Sequence, residues 1–217
     1  MDYTLARQYM IKSQIHPNWV DDPIVIAAME ALPREAFVPE RWKSVAYVDK
    51  ELDLGSGRFL MEPLVMARLL QMAAICSTDV VLELGCGTGY GAGLLGRMAS
   101  TVVAIEPDAD MSAKASAVLS DLGIDNVAVI TAPLTDGYAV QAPYNVIFIN
   151  GAVPEIPKIL LDQLADGGRL VAVVRGESGM GKATVVTKMQ HGYGRRELFD
   201  ASAAYLPGLS SEQQFTF

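Results

Sequence analysis

Apolar residues recur at helical spacing from Tyr3 to Ile15, which predicts an opening helix. Asp22 followed by Pro23 supplies an N-cap and a first-turn proline for a second helix running to about Leu32. Pro33 and Pro39 interrupt the chain around Phe37-Val38, and Glu62-Pro63 opens a third helix, Leu64 to about Ala74. From Asp79 the pattern changes. Short, β-branched, nearly continuous apolar runs at 80–84, 102–105, 127–130, 146–149 and 170–174 alternate with helical stretches at 91–99, 109–122 and 156–164. Runs of this kind are central parallel strands covered on both faces. Their alternation with helices predicts an α/β fold, a doubly wound and mostly parallel sheet with right-handed crossovers. Thr184–Met189 and Arg196–Ala201 flank a His191-Gly192-Tyr193-Gly194 turn and predict a C-terminal β-hairpin. The expected organisation is a helical cap with a loop over residues 1–78 and an α/β core over residues 79–217, packed as one compact unit.

Composition narrows the function classes. A chain of 217 residues with 51% apolar residues has the length and hydrophobicity for one packed domain. Its net charge is −8, and the densest basic site is Arg195-Arg196, so a nucleic-acid partner is not expected. The longest apolar run, Leu64 to Cys76, is broken by Arg68 and Gln71, and no membrane span is expected. The first residues lack a basic region followed by an apolar stretch, which makes a cytoplasmic location the expectation. Two cysteines, Cys76 and Cys86, without a Cys-x-x-Cys spacing predict neither a disulfide framework nor a zinc site.

The first strand of the core runs into Glu83-Leu84-Gly85-Cys86-Gly87-Thr88-Gly89-Tyr90. Glycines there let the backbone turn sharply and approach a ligand without a Cβ in the way. Glu106 closes the second strand, about 20 residues further on, where open α/β folds place a carboxylate on a ribose hydroxyl pair. Two ligand classes fit the glycines. Residues 87–92 also satisfy G-x-G-x-x-A, so a nicotinamide dinucleotide stays open as an alternative. Glu83, two positions before Gly85, suits a cationic methionine moiety better than a pyrophosphate, and the preceding cap suits a lid over a compact cofactor. Both features favour S-adenosylmethionine (SAM) on a Rossmann-like core.

With these residues in view, the chain resembles the protein-L-isoaspartate O-methyltransferases from about Leu5 to Leu209. The resemblance runs through the cap segment Ala28 to Glu40, close to M-x-x-V-P-R-x-x-F-V-P, and Ala46-Tyr47-Val48-Asp49. It continues through the glycine loop, Gly123-Ile124-Asp125-Asn126-Val127, Val153-Pro154-Glu155-Ile156-Pro157 and Leu164 to Val171. It implies SAM as cofactor, a protein or peptide carboxylate as methyl acceptor, and protein repair as the activity. It also implies a cofactor site built from Glu83, Gly85, Cys86, Gly87, Gly89, Glu106 and the Ala132-Pro133-Leu134 segment, with Leu60, Met61 and Asn150 toward the substrate. Three family features change here. The substrate loop T-I-S-Q-P reads Phe59-Leu60-Met61-Glu62-Pro63, which puts Met61 in the catalytic-site serine position. The G-D-G whose aspartate contacts adenine becomes Ala132-Pro133-Leu134, and the aspartate of F-D becomes Asn145, after Tyr144. A divergent acceptor, or cofactor binding without turnover, are the alternatives these changes raise.

Methyl transfer to a carboxylate asks for alignment and exclusion of water rather than a strong base. The sequence agrees with that demand. His16 and His191 are far apart, and no serine–histidine–acid or metal-ligand constellation is visible. Gly176 to Thr184 approaches a Walker A loop, but Ala183 follows Lys182 directly and a β pattern comes next, so a loop between strands is expected.

Overall fold

The structure is a computed structural model that describes residues 1–176 and 179–209. Helix α1 (Tyr3–Met10) is capped by the Asp2 side chain and continues through a wider turn at Ile11–Ile15. Asp22 accepts from the Ile24 and Val25 amides and starts α2 (Pro23–Ala31). Short 3₁₀ stretches at Arg34–Phe37 and Glu40–Val45 follow, each preceded by one of the two prolines. A short antiparallel pair comes next, β1 (Leu52–Gly55) and β2 (Arg58–Leu60), where the sequence suggested only a loop. Helix α3 (Pro63–Ala73) completes the N-terminal segment.

The core holds β3 (Val80–Leu84), α4 (Tyr90–Met98), β4 (Thr101–Ile105), α5 (Ala109–Asp121) and β5 (Val127–Ile130). It continues with β6 (Tyr144–Val153), α6 (Lys158–Asp162), β7 (Leu164–Val174), β8 (Gly181–Met189) and β9 (Gly192–Ala201). The seven strands lie in the order β5-β4-β3-β6-β7-β8-β9, the first five parallel and the last two antiparallel. This is the expected α/β sheet with its terminal hairpin. One element differs: the helix anticipated at 156–164 is the five-residue α6. Pro157 delays its start, and Leu164 already belongs to β7 and pairs with Tyr144. The Walker-like segment is part loop and part strand; its Gly181–Thr184 portion lies in β8, while Glu177 and Ser178 lie outside the described residues.

Strand alternation sorts the core into two layers. Val81, Val102, Ala104, Val146, Phe148 and Val171 share one cluster with buried residues of α2, α3, α4 and α5, so the N-terminal segment and the sheet pack on common residues. Leu82, Leu84, Val103, Ile105, Ile147 and Leu170 face the other way, toward Leu160 of α6, Leu134 and Leu206. Arg169 ties the layers to the cap. It donates to the Ala73 and Ala74 carbonyls at the end of α3 and pairs with Asp79 at 2.7 Å. Among the described residues, no helix is long and apolar enough to cross a membrane.

Candidate cofactor and acceptor site

Glu83 and Glu106 stand at the carboxyl ends of the adjacent parallel strands β3 and β4, where ligands bind in open α/β sheets. Both are fully buried. The chain between them turns at Gly85, whose φ of +79° would strain any other residue, and Gly89 caps α4 with φ +96°. The amides of Gly85 and Cys86 donate to the Ile105 carbonyl, and the Gly87 amide donates to Glu106 Oε2 at 2.7 Å. The loop is therefore fastened directly to the carboxylate that the sequence assigned to a ribose. Thr88 Oγ1 donates to the Phe37 carbonyl at 2.5 Å and fixes the loop to the cap segment.

Glu83 points to the same face as Asn150, which lies two residues beyond its register partner Phe148 on β6. Asn150 Nδ2 donates to Glu83 Oε1 at 2.8 Å. Gly91 is required beside them, because a Cβ there would run into the Glu83 carboxyl group. Burial pushes the Glu83 carboxyl up to about 8; Asn150 and Arg58 oppose that rise and Glu106 adds to it. Burial likewise raises the Cys86 thiol well above its ordinary range, which makes Cys86 a packing residue rather than a nucleophile.

The Glu83 shift has a thermodynamic consequence. The folded state holds a proton that the unfolded state releases near 4.5, so this group's contribution to stability is complete below that pH. It is lost as pH rises through about 8. Glu83→Gln is expected to flatten the decline between pH 5 and 8, and denaturant midpoints of both proteins across that range check it. Parallel declines would refute the assignment.

Met61 and Asn150 lie close together. With Glu51, Arg58, Phe59 and Leu206 they border a cavity of about 10 Å³. Met61 packs in the same buried cluster as Leu60, and its carbonyl accepts from Arg34 Nη2 at 2.7 Å. Of the Ala132-Pro133-Leu134 segment, Leu134 is buried in the core layer with Leu160 and Leu170, while Pro133 is exposed. Asn145 is structural: its Oδ1 accepts the Val80 amide at 2.9 Å. His16 and His191 are both exposed.

Sequence reasoning missed Arg58. Its side chain is 4% exposed, and its Nη2 donates to the Gly85 carbonyl at 2.5 Å and lies 3.3 Å from Glu106 Oε2. The available signal was a cation between Gly57 and the apolar Phe59-Leu60-Met61 run. Leu206 was also missed; it covers Gly85 and Gly151, and only the tertiary fold brings it there.

The family model described as protein-L-isoaspartate(D-aspartate) O-methyltransferase matches residues 5–213. A protein-L-isoaspartate O-methyltransferase from Koribacter versatilis is 40% identical over 206 residues, covering 95% of this chain and 92% of the relative. Another from Methanoculleus marisnigri is 40% identical over 168 residues, with 77% and 76% covered. A solved protein-L-isoaspartate O-methyltransferase superposes with a TM-score of 0.81 at 23% identity; it is matched over 95% of this chain, which spans 66% of that longer protein. A second structure, described as a putative enzyme of this kind from Plasmodium falciparum in complex with S-adenosyl-L-homocysteine, gives 0.80 at 18% identity, covering 96% and 99%. These two share the fold, and the matches in sequence decide the family: this chain belongs to the protein-L-isoaspartate(D-aspartate) O-methyltransferases.

Proposed function

We propose that this protein is a SAM-dependent carboxyl O-methyltransferase whose acceptor is a carboxylate on a protein or peptide, with isoaspartyl residues as the family's substrate class. One observation supports this above the others: two fully buried carboxyl groups, Glu83 and Glu106, flank a glycine loop at the carboxyl ends of neighbouring parallel strands. The donor set suits the cofactor. Glu83 Oε2 and Asn150 Oδ1 are buried without hydrogen-bond partners, and oxygens of that kind call for a ligand with cationic and hydroxyl donors. Glu106 and the Gly85–Gly89 backbone would hold it, with Glu83 and Asn150 beside them. Bound there, SAM supplies a methyl group on a sulfonium.

The remaining work belongs to the chain itself. An acceptor carboxylate is ionised at neutral pH, so the site needs no strong base. Met61 and Phe59 give the acceptor side an apolar lining that excludes water, and Asn150 offers an amide for orientation. Glu83 gives up its proton when a cation arrives beside it.

Glu106→Ala is expected to weaken binding of S-adenosylhomocysteine by about 1–3 kcal/mol, the loss typical of a charge-assisted hydrogen bond. Calorimetry on the folded variant and the parent reads this directly. Binding of NAD(P) by the parent without binding of SAM or its product would overturn the cofactor reading.

A further inference from the structure

We propose that Arg58 is a resident cation of the cofactor site, a positioning residue that competes with the cofactor for Glu106 and the Gly85 carbonyl. The inference rests on reading the glycine loop as that site. The guanidinium reaches down from β2 and is held by the carbonyl at 2.5 Å and by the carboxylate at 3.3 Å. Leu206 covers Gly85, and Leu54 covers Gly87. On the Arg58–Leu206 side the remaining cavity is about 10 Å³, and on the Leu54–Thr88 side a groove of about 200 Å³ is present, both below the roughly 300–1,000 Å³ of pockets for small ligands and cofactors. A ligand that uses the Gly85 carbonyl and the Glu106 oxygen facing Arg58 must therefore take the place of the guanidinium.

The surroundings are built for that exchange. Arg58 Nε is buried without a hydrogen-bond partner, so the closed arrangement leaves part of the guanidinium group's capacity unmet. Strands β1 and β2 form their own two-stranded sheet, separate from the seven-stranded one, and can lift without breaking its ladder. Leu206 donates its amide to the Ala152 carbonyl on β6 at 2.9 Å and stays with the main sheet, so the hairpin can carry Arg58 away while Leu206 remains. Glu51 Oε1, just before the hairpin, accepts the Ala204 amide at 2.9 Å. Trp42 Nε1 donates to the Asp53 carbonyl on β1 at 2.8 Å and reports on the hairpin. Affinity for the cofactor is then divided by the fraction of molecules in which the guanidinium has left.

The test titrates S-adenosylhomocysteine into the full chain by calorimetry, comparing the parent, Arg58→Gln and Arg58→Lys. Trp42 fluorescence is followed in a Trp19→Phe background, since the chain has two tryptophans and Trp19 is exposed. Arg58→Gln is expected to bind about tenfold tighter or more, because the competing charge-assisted contacts are gone, with Arg58→Lys between it and the parent. Trp42 emission should shift on binding in every protein that binds. Equal or weaker affinity in a cooperatively melting Arg58→Gln overturns the role of Arg58 and leaves the cofactor reading standing. Absence of binding in parent and variant alike overturns both. Where Arg58→Gln does not melt cooperatively, Arg58→Lys decides: affinity above that of the parent supports the competition and unchanged affinity refutes it.

Discussion

Met61→Ser is expected to raise the rate of methyl-ester formation on an isoaspartyl peptide by about 10- to 100-fold, since sites that hydrogen-bond a polar substrate group discriminate strongly when the bond is restored. Met61 borders the same small cavity as Arg58, Phe59 and Asn150, and its thioether donates no hydrogen bond. A hydroxyl there gives an acceptor carboxylate a donor beside the Asn150 amide. The assay counts esters formed per enzyme at saturating SAM, so a weakened cofactor site is not mistaken for a lost acceptor site. No gain in a folded variant would mean that the acceptor contacts lie elsewhere.

Arg34→Met should cost about 1–3 kcal/mol of stability for each of the two buried carbonyls it leaves without a donor. Arg34 is wholly buried, and burial lowers its pKa from the usual arginine range. Nε donates to the Ala46 carbonyl and Nη2 to the Met61 carbonyl, each at 2.7 Å, and the guanidinium lies 4.9 Å from the Tyr90 ring centre. Methionine fills much of the volume but leaves both carbonyls without a donor. The same change frees the backbone that presents Met61, so acceptor affinity should fall together with the denaturation midpoint. A loss below about 1 kcal/mol, the range of ordinary surface substitutions, would show that water or another donor replaces the guanidinium.

The sheet was readable because its central strands are apolar on both sides. Val80–Leu84 and Val127–Ile130 fall where their β-branched runs begin and end. The hairpin of β1 and β2 escaped notice although Leu52, Asp53 and Leu54 alternate before a Gly-Ser-Gly turn, the usual signature of a short strand pair. Helix α6 was overextended because Leu160, Leu161 and Leu164 suit a helix as well as a strand, and the pairing of β7 with β6 decides between them. At the site, Glu83, Glu106 and the glycines were legible from motif spacing. Arg58 was not, because the match to the family's substrate loop began one residue later, at Phe59. The resemblance assigns the Ala132-Pro133-Leu134 segment to the cofactor, and the burial of Leu134 in the core layer with Leu160 was not legible from motif spacing.

The most direct test of the account is transfer of label from methyl-labelled SAM into base-labile esters on an aged, isoaspartyl-rich protein, run with the parent chain and Met61→Ser. Carboxyl methyl transfer predicts base-labile label from both, slow for the parent and faster for the variant. Both proteins binding S-adenosylhomocysteine while neither transfers label to a carboxyl group would contradict it.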